Sequence, residues 1–406
     1  MPEKLQPPKG TRDFLPGQQK VRRVLLEGMR TVLERYGYGE VVTPAIEDFE
    51  VLAKKAGQDI ENEIYVFTDK GGRKIGLRFD LTVPIARIVS SDSSLPKPVK
   101  FYCIGPMWRY DNPGAGRWRE FYQVSFELIG SSSAKADAEV LAIVSECLKA
   151  AGVKRFFFSV NSRGLVEELV KEAGIPEKKK AEAFRAIDKL GKIGEDGVLK
   201  EFIRYDIPAE AGKKLLKLLK KSRTNKELDE LLKVTKKMGV DNIEVDNSIV
   251  RGIDYYTGFV FETFIEGKES LGSVASGGRY DTLIGLYGGQ SLPAVGCGIG
   301  FDRMLECLDI PEDKQQTKVF VANVNDWVWD DALKIAIDLR SKGIATELDL
   351  MGRDLRKQID YAVAKGAEFL VIVGPKELKE GKVVLRDLET GKETAVKIAE
   401  LGKKIV

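Results

Sequence analysis

Three arginines, Arg109, Arg251 and Arg303, stand in settings where a solvated cation is not the obvious choice. Arg109 closes an apolar run, KFYCIGPMW. Arg251 opens IVRGIDYYTGFVFETFI, where period two would put it on one strand face with Ile253, Tyr255 and Thr257. Arg303 falls in the first turn of an expected helix after LPAVGCGIGF, an end that repels cations. Its position there points to a ligand anion or an aromatic ring beneath it. Between them lies FYQVSFELI, residues 121–129, whose alternation puts Tyr122, Val124, Phe126 and Leu128 on one face. Gln123, Ser125 and Glu127 share the other face with Phe121 and Ile129, a mixture suited to the floor of a site. Taken alone, a solvated hairpin with one wet face is the plainer reading.

The absences are as informative. The 406 residues contain no histidine, which removes Ser-His and Cys-His nucleophiles, His-ligated zinc and imidazole acid–base chemistry. Cys103, Cys147, Cys297 and Cys307 form no C-x-x-C pair, so structural zinc is not expected and reduced, buried thiols are. Chemistry here must run on Arg, Asp/Glu, Gln, Tyr and metal ions. A net charge of +3 is too mild to announce nucleic-acid binding without a local patch. No apolar run approaches membrane-spanning length, and MPEKLQPPKGTRDFLP lacks the apolar core of a signal peptide, so a cytoplasmic location without membrane association is expected.

The elements that must position these groups follow from periodicity. Gln18–Tyr36 reads as a helix, Glu40–Thr43 as a strand stopped by Pro44, and Tyr65–Thr68 with Lys74–Arg78 as a hairpin. In LRFDLTVPIARIV, Asp80 and Thr82 stand where a helix N-cap would, and capping alone would account for either. Lys97–Gly130 reads as two strands joined by a polar loop carrying Arg117 and Arg119. Ala134–Ala150 is helical and Arg155–Asn161 a strand. From Gly164 to Gly239 the pattern is helical and Lys-rich, with Leu215, Leu216, Leu218 and Leu219 as a core stripe. The lysines around that stripe suit a solvated face better than an RNA surface. Gly296, Gly298 and Gly300 strip one face of a strand. Close approach by a flat ligand would justify that cost, and tight packing would do so equally. Beyond a polar linker at Asp309–Thr317, β-α-β-α-β alternation marks a separate α/β domain of roughly 90 residues with a largely parallel core. It has no GxGxxG or Walker loop.

These residues carry a resemblance. PPKGTRDFLP, the helix and strand ending at Thr43-Pro44, the Lys97–Gly130 hairpin and Ala294–Leu308 resemble the N-terminal signature and motifs 1, 2 and 3 of class II aminoacyl-tRNA synthetases. RGIDYYTG at 251–258 and SGGRYD at 276–281 are far more specific and resemble the histidyl-tRNA synthetase family. RFDLT at 78–82 is similar to its archaeal and eukaryotic branch. The resemblance implies an α/β fold overall: an α+β catalytic domain with a mostly antiparallel sheet flanked by helices, a helical insertion, and a C-terminal α/β anticodon-binding domain. It divides the chain into catalytic segments 1–163 and 241–310, an insertion at 164–240 and an anticodon-binding domain at 317–406.

The function implied is ATP-dependent activation of L-histidine to histidyl-adenylate, followed by transfer to the 3′ end of tRNA(His) by a cytoplasmic homodimer. Mg2+ would accompany the ATP phosphates, with no metal held by the protein alone. By the same resemblance Arg109, Arg251 and Arg303 are catalytic, gripping the phosphates of ATP, and Phe121 stacks on adenine, which the bare face at Gly298 and Gly300 admits. Asp80, Thr82 and Gln123 hold the main chain of histidine. Glu127 and Tyr256 meet the imidazole, with Tyr255 close by, and Arg117 and Arg119 reach the tRNA acceptor end. The absence of histidine would let such an enzyme be made when histidine is scarce, though drift explains it more simply. The rival readings are a regulatory paralogue of ATP phosphoribosyltransferase, a kinase-fused tRNA sensor, an RNA-binding module and a related class IIa synthetase. The RGIDYYTG block, the terminal domain and the missing kinase motifs weigh against them.

Overall fold

The computed structural model describes residues 5–56, 58–250, 256–310 and 317–405. Contacts divide the chain into two compact units: Met1–Asp13 with Leu25–Ile310, and Phe14–Val24 with Pro311–Val406.

Among the described residues the first unit contains eleven strands: β1 Gly39–Glu40, β2 Ile46–Asp48, β3 Val66–Thr68, β4 Lys74–Leu77, β5 Val99–Trp108, β6 Glu120–Ile129, β7 Phe156–Ser162, β8 Ile243–Val245, β9 Phe259–Ile265, β10 Ala275–Arg279 and β11 Ala294–Gly300. Eight of them form a sheet in the order β1-β5-β6-β11-β10-β9-β7-β8, antiparallel except at its two outer pairs. A small sheet, β2-β4-β3, carries the expected hairpin.

Alternation along β6 sorts the two faces as expected. Val124, Phe126 and Leu128 join Tyr102, Phe158, Phe261 and Leu141 in the main core. Each such side chain, fully buried, is worth roughly 1.5–3 kcal/mol. The helix Ala134–Ala150 packs on this side, its first turn capped by Ser133, whose Oγ accepts from the Lys135 N–H. The opposite face is not a wet exterior. Ser125 and Glu127 are each 1% exposed there, beside a second apolar cluster of Leu81, Ile85, Met107 and Ile284.

Two expectations change. The strand read as Glu40–Thr43 ends at Glu40, because buried Arg78 takes the Thr43 carbonyl at 2.6 Å and its Oγ1 at 3.0 Å. The strand read from Ile249 begins only at Phe259, so Thr257 is not a strand residue. Arg251, Ile253 and Tyr255 lie outside the described residues. The Lys-rich segment is helical, as Arg163–Ala173, Lys180–Asp188, Leu190–Arg204, Ala209–Leu219 and Lys226–Lys237. Leu215, Leu216, Leu218 and Leu219 are buried in the same core cluster as the large sheet, so this segment is not a separate globule.

The second unit has β12 Val319–Asn323, β13 Thr346–Leu348, β14 Phe369–Val373, β15 Lys382–Asp387 and β16 Glu393–Lys397, ordered β13-β12-β14-β15-β16. The first three are parallel, with the helices Trp329–Ser341 and Leu355–Ala364 as crossovers, and β15 and β16 close the sheet as a hairpin.

Candidate active site

Glu127 is the centre of the buried face. Its Oε1 accepts from Thr82 Oγ1 at 2.7 Å, and its Oε2 accepts from the hydroxyl of Tyr280. Thr82 is the first residue of the helix Thr82–Ser91. Asp80 acts locally, accepting the Val83 N–H at 3.0 Å, so capping accounts for that bond, whereas Thr82 is turned to the carboxylate. Tyr256 is 8% exposed, with its ring centroid 6.4 Å from that of Tyr280.

Of the two reasons offered for the glycines of β11, tight packing applies at Gly296 and Gly298, against side chains of the neighbouring strand. Gly296 pairs with Glu127 across the ladder, and a Cβ there would lie 1.5 Å from Glu127 Oε2. A Cβ at Gly298 would lie 1.5 Å from Gln123 Nε2. The bare stripe is therefore filled by two side chains of β6 lying over it, and only Gly300 has no such neighbour, its nearest being the Val274 carbonyl at 3.6 Å. Gln123 Oε1 is buried and has no hydrogen-bond partner among the described residues. An unpaired buried acceptor costs about 1–3 kcal/mol, and a bound donor removes that cost.

Phe121 lies on the same face toward the loop end, and the run from Phe121 to Glu127 spans about 20 Å of strand. The Arg109 guanidinium carbon is 5.3 Å from the Phe121 ring centroid, and Arg109 Nε donates to the Phe79 carbonyl at 2.9 Å. Arg303, expected to face a ligand anion or an aromatic ring, makes backbone contacts as well. Its helix, Phe301–Glu306, is only six residues long, and the guanidinium donates to the carbonyls of Gly116 at 3.0 Å and Ser273 at 2.8 Å. Those two carbonyl dipoles hold the guanidinium against the β5–β6 loop. In the β5–β6 loop Arg117 is exposed, while Arg119 donates to the Asp111 carbonyl and lies 4.3 Å from the Tyr110 ring centroid.

Sequence reasoning missed Tyr280 and Arg279, although SGGRYD was singled out. Gly277 lets β10 approach β11, since a Cβ there would lie 2.1 Å from the Gly296 carbonyl. Arg279, 6% exposed, pairs with Asp137 at 2.5 Å and donates to the Ser131 carbonyl at 3.0 Å. Burial pushes the Asp137 carboxyl up to about 6 despite that cation. The motif thus anchors β10 so that Tyr280 meets Glu127. A tyrosine one residue past a buried arginine was the available signal, but only the fold shows which carboxylate it reaches.

Comparison with known proteins gives a consistent picture. A family model described as histidyl-tRNA synthetase matches residues 10–304, and one described as anticodon binding domain matches residues 318–406. The chain is 38% identical over 402 residues to a histidine–tRNA ligase of Pyrobaculum islandicum, covering 95% of each chain. It is 37% identical to one of Pyrococcus abyssi, covering 98% of this chain and 97% of that one. Among solved structures it is similar to the histidyl-tRNA synthetase of Nostoc, with a TM-score of 0.83, 29% identity and 99% coverage of both chains. It is also similar to a Bacillus halodurans protein described as an ATP phosphoribosyltransferase regulatory subunit/histidyl-tRNA synthetase, at 25% identity, a TM-score of 0.76 and 92% coverage of this chain.

Proposed function

Because the chain belongs to the histidyl-tRNA synthetase family, we propose that the buried face of β6 is where histidine and ATP meet. The activity is histidine–tRNA ligation in two steps. A carboxylate oxygen of histidine attacks the α-phosphorus of ATP and pyrophosphate leaves; a hydroxyl at the 3′ end of the tRNA then attacks the acyl carbon and AMP leaves. The observation that carries the placement is Glu127, a buried carboxylate that accepts from Thr82 through one oxygen and from Tyr280 through the other. A carboxylate only accepts hydrogen bonds, which suits Glu127 to the N–H of an imidazole. Gln123 Oε1, unpaired among the described residues, suits the α-ammonium. Asp80, Thr82 and Tyr256 border the same end, and Thr82 acts through Glu127 more than on the amino-acid main chain.

ATP lies toward the loop, with adenine on Phe121 near Gly300 and its phosphates at Arg109. Fixed cations there stabilise charge that builds on phosphate oxygens during transfer. Arg251 and Tyr255 keep the roles that the resemblance implies, and Arg303 acts by holding the loop at Gly116 as well as by its charge. Mg2+ bound to the ATP phosphates would offset part of their charge; the described residues include no group of three or more His, Cys, Asp or Glu arranged to hold a metal. Exposed Arg117 suits the tRNA acceptor end, and Arg119 lies beside it. The functional division of the chain in this reading is that expected from the sequence: catalytic segments 1–163 and 241–310, an insertion at 164–240 and an anticodon-binding domain at 317–406. A homodimer through motif 1 is supported by Val42 and Ile46, apolar residues 86% and 46% exposed beside the edge strand β1. No helix among the described residues is long and apolar enough to cross a membrane, and translation supports a cytoplasmic location.

ATP–pyrophosphate exchange across the twenty amino acids tests the reading. Exchange with histidine alone upholds it, and no exchange with any amino acid overturns it.

The anticodon-binding unit offers its own surface. Strand order reverses around β12, and ligands bind α/β sheets beyond the carboxyl ends of strands at such a point. Trp327 is 93% exposed just past β12, and Leu350 and Met351 are 79% and 73% exposed just past β13. Base stacking on an aromatic ring is worth about 1–3 kcal/mol. Trp327→Ala is therefore expected to raise the KM for tRNA about tenfold in aminoacylation. Pyrophosphate exchange, which needs no tRNA, gives the baseline, and an unchanged KM removes Trp327 from the RNA surface.

A further inference from the structure

The N-terminal PPKGTRD stretch has no part in the chemistry described so far, yet it crosses the β5–β6 loop at several points. The Pro8 carbonyl accepts from the Thr11 N–H and hydroxyl, which turns the chain at Gly10. Gly10 has φ +86°, and a Cβ there would lie 2.7 Å from Arg119 Cγ and 2.9 Å from Pro113 Cγ. Only glycine allows both the left-handed backbone and that approach. The Gly10 carbonyl accepts from the Arg119 N–H at 2.8 Å, and the Arg119 carbonyl accepts from the Arg109 N–H at 2.9 Å. The backbone of Arg109 is thus tied to Gly10 through one residue.

Arg12 fastens the other side. It bridges Asp302 at 3.2 Å and Glu306 at 3.3 Å, and its guanidinium carbon lies 4.0 Å from the Trp118 ring centroid. Glu306 also accepts from the Gly116 N–H at 2.7 Å and Trp118 Nε1 at 2.6 Å, and Asp302 accepts from the Tyr122 N–H at 2.7 Å. Two carboxylates on one short helix thereby hold the loop tip and its return into β6.

We propose that Pro8–Arg12 is a strap which, with Glu306, sets the position of the β5–β6 loop and so of Arg109, making Arg12 and Glu306 positioning residues for the ATP-dependent step. The proposal rests on the reading that Arg109 and Phe121 hold ATP. Glu127 lies further along β6 than Tyr122 and is held there by Thr82 and Tyr280, so loosening the strap affects the ATP end of the strand more than the imidazole end.

The test uses the full chain with Arg12→Ala, Glu306→Ala, their combination, and Glu306→Gln as a variant of unchanged shape. The KM for ATP and the KM for histidine are measured in pyrophosphate exchange, together with the rate of tryptic cleavage after Arg117. Each single variant is expected to raise the KM for ATP about tenfold, since small misplacements of binding groups are costly. The KM for histidine stays within about twofold, and cleavage after Arg117 accelerates. The double variant is no worse than the worse single one, because the two groups act as one latch. Unchanged ATP KM with an unchanged cleavage rate overturns the strap. Equal rises in both KM values with a lowered Tm overturn it too, as a general loss of structure. Faster cleavage with unchanged ATP KM upholds the strap and overturns the ATP reading on which its catalytic consequence depends.

Discussion

Glu127→Gln is expected to lower kcat/KM for histidine in pyrophosphate exchange by about 10²-fold, equivalent to about 2–3 kcal/mol. The amide has nearly the shape of the carboxylate, so the fold is retained. Thr82 can still donate to the single remaining oxygen, and the Tyr280 hydroxyl can turn from donor to acceptor toward the new NH2 group. What is lost is the charged acceptor for the imidazole N–H, at a site 1% exposed where water cannot replace it. Both kcat/KM for histidine and the thermal unfolding of the variant need to be measured. A loss under threefold in a folded variant removes Glu127 from recognition of the imidazole.

Gly296→Ala is expected to cost about 3 kcal/mol of stability and to lower histidine activation by at least about 10²-fold. The added methyl would overlap Glu127 Oε2 at 1.5 Å and approach the Phe126 carbonyl at 2.8 Å. Glu127 cannot yield without breaking its bonds to Thr82 and Tyr280, and the carbonyl belongs to the sheet ladder. Gly298→Ala is the control. Its methyl also starts 1.5 Å from a side chain, but Gln123 is not pinned at Oε1 among the described residues and can swing aside. The control should therefore keep most of its stability while weakening histidine binding. Denaturant unfolding and pyrophosphate exchange of both variants decide the matter. Equal, mild effects at the two positions would show that Glu127 is not held as firmly as its hydrogen bonds indicate.

Much of this was legible before any coordinates. The period-two pattern of FYQVSFELI placed Val124 and Phe126 in the core and Gln123 and Glu127 opposite, because strand geometry leaves no other sorting. The βαβ alternation after residue 317 gave a parallel core for the same kind of local reason, and the strength of SGGRYD as a family mark came from its residues alone. Local patterns misled where a long-range partner intervened. Thr43 leaves the strand because Arg78, distant in sequence, captures its carbonyl. Arg303, at a helix start, is held by the carbonyls of Gly116 and Ser273, which its own helix does not contain.

By itself the sequence determined the residue types available for chemistry, the face each would occupy on its own strand, and, with no histidine anywhere, the exclusion of imidazole catalysis. The tertiary structure decided which strand lies beside which. That register turns Gly296 and Gly298 from a bare stripe into the space that Glu127 and Gln123 occupy. It also brings Tyr280 to Glu127, and Gly10 and Arg12 to a loop about a hundred residues away in the chain. The physical reason is that local preference acts over a few residues, whereas hydrogen-bond partners and steric clearance are settled by pairings between distant segments.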